Sequence, residues 1–121
     1  MIGIPKAFSR MNSRTSTLAS ASADALAELR RGLPNGEKIK IDMALACLYD
    51  AIREAFPAEI PQGRDLSYRN SMVGIHVDSA VDWVVMASGS SAARMPEEFV
   101  KTAQLLIYVK RSVSEQLSQE I

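Results

Sequence analysis

The chain has one cysteine, one histidine and one tryptophan in 121 residues, and its 14 basic side chains are matched by 14 acidic ones. Each scarcity removes a class of function. A single cysteine, Cys47, closes no internal disulfide, so a reducing, cytoplasmic setting is expected. The lone histidine, His76, does not combine with Asp78 and Cys47 in any metal-ligand spacing. Zero net charge argues against a protein that lives on phosphate contacts, since neutralising phosphates supplies most of such affinity. It argues equally against a polybasic membrane-surface protein. No stretch reaches the ~18–20 apolar residues of a membrane span. The opening MIGIPKAFSRMNSR lacks the apolar segment of a secretory signal.

Catalytic constellations are equally sparse. Asp78 and Asp82 stand one helical turn apart, but such a pair is ordinarily the solvated edge of a helix. Ser88-Gly89-Ser90-Ser91 has neither the preceding strand nor the following lysine of a phosphate loop and reads as a flexible joint. Cys47 flanks an apolar seam and reads as a small buried filler rather than a nucleophile. The expectation is therefore no enzyme and no cofactor.

What the chain does have is helical periodicity. Residues 1–15, with Lys6, Arg10 and Arg14 and no acid, read as a loosely held tail. A first helix from Thr17 to Arg31 places Leu18, Ser22, Ala25, Leu26, Leu29 and Leu33 near one stripe. Thr15 or Ser16 is its expected cap, with Gly32 and Pro34 as its end. A second, Glu37 to Phe56, repeats Ile41, Leu45, Leu48, Ile52 and Ala55 or Phe56 at the spacing of an antiparallel seam, and Pro57 stops it. Residues 57–66 form a turn-rich connection. The third element, Ser67 to Met86, carries two stripes. One is Val73, Val77, Ala80 or Val81, Val84 and Ala87; the other is Met72, His76, Ser79, Trp83 and Met86. A helix apolar on two sides must be covered on two sides, within a bundle or at an oligomer interface. Its valines also suit a strand, but length and sustained period favour a helix. The last helix opens at Pro96 with Glu97 and Glu98, and continues through Phe99, Ala103, Leu106, Val109 or Lys110, Val113 and Leu117.

These elements predict an all-α fold: one domain over residues 1–121, an antiparallel helical hairpin elaborated into a bundle of about four helices. The third and fourth helices offer more apolar surface than a small monomer easily hides, so a homodimer is expected. The joint RGLPNGEK is long for a helix-turn-helix, and a second helix bearing Asp42, Asp50 and Glu54 is too acidic for a recognition helix. A protein that grips another macromolecule is the remaining class.

Several short matches, in order, give that class a more specific form. Arg31-Gly32-Leu33-Pro34, Ile39-Lys40-Ile41-Asp42, Ala55-Phe56-Pro57, Gly63, Tyr68, His76 and Ser79-Ala80-Val81-Asp82 ahead of Gly89 together resemble the TraM family of antiactivators. The similarity spans roughly residues 31–89. The first long helix is several residues shorter than the family's, and the segment from Pro96 extends beyond it. The resemblance implies two long antiparallel helices, a dimer, and capture of a LuxR-type activator such as TraR so that it no longer holds DNA. It implies Phe56 and Tyr68 as partner-binding residues, both aromatic and both flanking the turn between the long helices. The alternative for each is structural: Phe56 packs the end of the hairpin, and Tyr68 starts a helix. The alternative functions are a helical secretion or plasmid-transfer chaperone, or a small DNA-binding repressor.

Overall fold

A computed structural model describes residues 11–57, 66–89 and 95–119, and within them the chain is all-α. The order is α1 (Ser13–Arg31), α2 (Asn35–Ala55), α3 (Leu66–Ala87) and α4 (Glu97–Ser118). Among the described residues there is no strand, so the valine-rich third element is helical throughout.

The start of α1 differs from the sequence expectation. The helix begins at Ser13 rather than Thr17, because the Asn12 side chain accepts a hydrogen bond from the Thr15 amide at 2.8 Å. A short carboxamide at this position satisfies an amide that has no partner within the helix, and so extends the helix by one turn. Thr15 is consequently no cap. It is buried, with its hydroxyl 2.6 Å from that of Ser112 on α4. Met11 is buried as well, so the packed structure reaches into the segment expected to be a tail; residues 1–10 lie outside the described residues.

The remaining boundaries have simple causes. After α1, the Gly32 amide turns back to the Leu29 carbonyl, and the Pro34 carbonyl then accepts the first amides of α2 from Glu37 and Lys38. α2 closes when the Phe56 amide reaches Ile52 at 2.9 Å, and Pro57 brings no amide to continue the ladder. α3 ends at Ala87, two residues before Gly89, whose φ of 67° lies in the left-handed region that glycine enters without strain. Pro96 caps α4 from just outside it, accepting from Phe99 and Val100. Glu97 and Glu98 then face the positive end of the helix.

The helices form a four-cornered bundle in which each packs against its neighbours in the order α1, α2, α3, α4 and back to α1. α2 and α3 make the most extensive contact. Ile41, Leu48 and Ile52 from α2 meet Val73, Val77, Ala80 and Val84 from α3, all essentially inaccessible to solvent. β-branched side chains on α3 keep that seam narrow, and Ala44, Ala51 and Ala55 on α2 let the helix axes approach. Phe99, Leu106, Val109, Val113 and Leu117 of α4 complete the core, as their spacing predicted. Leu45 and Leu18, expected in it, are only half-buried at its edge.

Candidate partner-binding surface

The two residues implied as partner contacts have opposite environments. Phe56 is 1% exposed and packs inside the end of the α2–α3 hairpin. In this structure it belongs to the core, as the structural alternative for it expected, and presents no exposed surface. Tyr68, in the first turn of α3, is 42% exposed. Helical geometry explains the contrast. Phe56 continues the row of Ile52 and Ala55 into the core. Tyr68 stands well around the helix from the buried row of Arg69, Val73 and Val77.

Arg69 was invisible to sequence reasoning, because a charge beside an apolar row reads as surface. It is buried, and its guanidinium donates to the Ala55 carbonyl at the end of α2. A cation there meets carbonyls left without intrahelical partners and the negative end of the helix dipole. The contact fixes the antiparallel register. With Arg69 beside Ala55, the start of α2 lies alongside the end of α3.

That register assembles an apolar outer face. On α3, Tyr68, Met72, Ile75, Ser79, Asp82 and Met86 follow one another at alternating spacings of four and three, a single stripe turned away from the core. Ile75 is 57% exposed and Met86 45%. Trp83 and His76, both half-buried, line the inner margin of the stripe. On α2, Ile39 and Met43 are exposed one turn apart, at the end of the hairpin that holds Met86. Five of the seven large apolar side chains that are exposed among the described residues therefore sit on α2 and α3. Isolated exposed apolar residues are ordinary, whereas several gathered on one side of a hairpin mark an interaction surface; on α3 the polar Ser79 and Asp82 interrupt the row between Ile75 and Met86.

Nothing in this face resembles a catalytic arrangement. Asp78 pairs with Lys110 of α4 at 3.2 Å, while Asp82 is exposed on the stripe, so the two carboxylates have separate surroundings. Cys47 is half-buried beside the core, and burial together with the nearby Asp50 carboxylate pushes its thiol pKa up. A thiol held protonated is a poor nucleophile. Among the described residues no cluster of histidine, cysteine and carboxylate side chains is placed to hold a metal ion. No described helix is long and apolar enough to cross a membrane.

A second apolar feature lies between α1 and α4. These helices are joined at one end by Asn12 to Gln116, Arg14 to Glu115 and Thr15 to Ser112. Further along they leave a groove lined by Ala25, Leu29, Leu33, Phe99 and Leu105. Ala25 on α1 is too short to fill it.

No family model matches the chain, and no curated protein or solved structure is similar to it.

Proposed function

We propose that the chain is a cytoplasmic antiactivator: a stoichiometric binding protein that captures a LuxR-type transcription factor and keeps it from DNA. The observation that carries this reading is the row Tyr68, Met72, Ile75 and Met86 on the outer side of the α2–α3 hairpin, extended by Ile39 and Met43. It supplies the rigid apolar and aromatic anchors that dominate protein–protein affinity, on the helical hairpin that a resemblance to the TraM family implies. Tyr68 takes the anchoring role; Phe56 supports it from within.

The mechanism needs no cofactor and no reaction. A partner's DNA-binding element laid along α3 is occluded as long as the complex lasts. Self-association into a homodimer belongs to the same reading, with the α1–α4 groove as a second apolar surface available for it. Direct DNA recognition by α2 fits poorly, because its outward row of Ile39, Met43, Ala46, Asp50 and Arg53 carries a single cation, and that one is paired with Asp50 at 3.3 Å.

Co-purification of the LuxR-type activator encoded nearest this chain tests the reading. Replacing Tyr68 by Ala is expected to weaken capture by about tenfold or more, in line with loss of an interface aromatic. Since Tyr68 is partly exposed, the helical content and melting behaviour of the variant stay close to those of the parent. Absence of any complex with the unmodified protein contradicts the proposal.

A further inference from the structure

The outer stripe of α3 contains one residue that its apolar neighbours do not explain. Asp82 stands one turn from Met86 and from Ser79, and two turns from Ile75 on the same side of the helix. It is exposed, and among the described residues it makes no hydrogen bond or ion pair. A partner that covers both Ile75 and Met86 must also cover Asp82. A carboxylate removed from water without a cation or donors carries a large desolvation penalty, so whatever docks here has to bring a positive group to that point.

A second copy of α3 does not meet this requirement. Its own stripe presents Tyr68, Met72, Ile75, Ser79 and Met86, none of them basic, and an antiparallel pairing about the middle of the helix sets Met72 of the copy against Asp82. Lys110 of the neighbouring α4 is already engaged by Asp78. Face-to-face pairing through α3 would bury two carboxylates with no compensation.

We infer that the α3 face is a docking site for a basic amphipathic helix of a different protein, one whose apolar residues cover Ile75 and Met86 while a Lys or Arg between them meets Asp82. The occupant is named by charge complementarity and by the spacing of the stripe. The inference rests on the proposed reading only in taking this face as the partner surface. It adds the chemistry of the partner, and it excludes a homodimer paired through α3 against α3.

The experiment is a selection from a displayed library of amphipathic helical peptides, randomised at every heptad position and panned on the intact protein, with no activator present. Enriched peptides are expected to carry a Lys or Arg between two large apolar positions. Their binding should be lost with Ile75→Glu, fall tenfold or more with Asp82→Asn, and weaken as salt rises. Circular dichroism checks that both exposed-site variants remain folded. Enrichment of purely apolar peptides, or binding indifferent to Asp82→Asn, overturns the inference. So does a library that yields no binder, or only binders indifferent to Ile75→Glu. Sedimentation showing a dimer that Ile75→Glu dissociates and Asp82→Asn tightens would also overturn it, by assigning the face to a second copy. Because the library contains no transcription factor, these outcomes are independent of whether the activator itself is captured.

Discussion

The α2–α3 hairpin and the α1–α4 pair are built from helices of similar length, yet they cohere by different means. Between α2 and α3 the contact is a dense apolar seam, drawn tight by valines on one side and alanines on the other. Between α1 and α4 it is thinner. The buried side of α1 consists of Thr15, Ala19 and Ser22 with only Leu26 and Leu29 as large residues, and hydroxyl and ionic contacts do part of the joining. The first pair is therefore the rigid platform, and the second a looser cover across it. A docking stripe needs the rigid platform, because an anchor held on a well-packed helix loses little freedom when a partner arrives.

Breaking the tighter seam should cost most. Leu48 is fully buried against α3, and Leu48→Ala is expected to lower unfolding stability by about 2–5 kcal/mol in a denaturant titration. A loss no larger than that from truncating half-buried Leu105 would erase the contrast between the two pairs. Next in size is the register contact. Arg69→Ala removes a charged donor from the Ala55 carbonyl and is expected to cost about 1.5–3 kcal/mol. In hydrogen exchange the last turn of α2 should open earlier in that variant; unchanged protection there would deny Arg69 its place in the hairpin.

The smallest effect belongs to the looser pair. Ser112→Ala leaves the buried Thr15 hydroxyl without its partner, at an expected cost of about 1–2 kcal/mol. A double-mutant cycle with Thr15→Val should return most of that as coupling, because removing both hydroxyls leaves no orphan. A coupling near zero would mean that the two helices are held by their apolar contacts alone.

The same contrast explains what was legible from sequence. The seam residues of α2, α3 and α4 announce themselves because large apolar side chains recur at helical spacing, and all three helices fall within a residue or two of where that spacing puts them. The start of α1 is harder to read, since Asn12, Ser13, Thr15 and Ser16 are all competent caps and only packing against α4 chooses among them. Phe56 and Tyr68 are both aromatic and both flank the turn. Which of them faces inward depends on a rotation about each helix axis that composition does not encode. Arg69 could be found only by asking what satisfies the carbonyls that end α2 inside the bundle. Of the turn-rich connection expected over residues 57–66, residues 58–65 lie outside the described residues, and Leu66 already belongs to α3.

The most direct test of the central claim is a gel-shift titration of the activator on its promoter DNA, with the parent protein and the Ile75→Glu variant run side by side. The account predicts that the parent abolishes the shifted band near a stoichiometric ratio and gives no band of its own, while the variant, equally well folded, leaves the activator–DNA complex intact. An activator–DNA band that survives the parent protein, or one that the variant removes just as well, would contradict it.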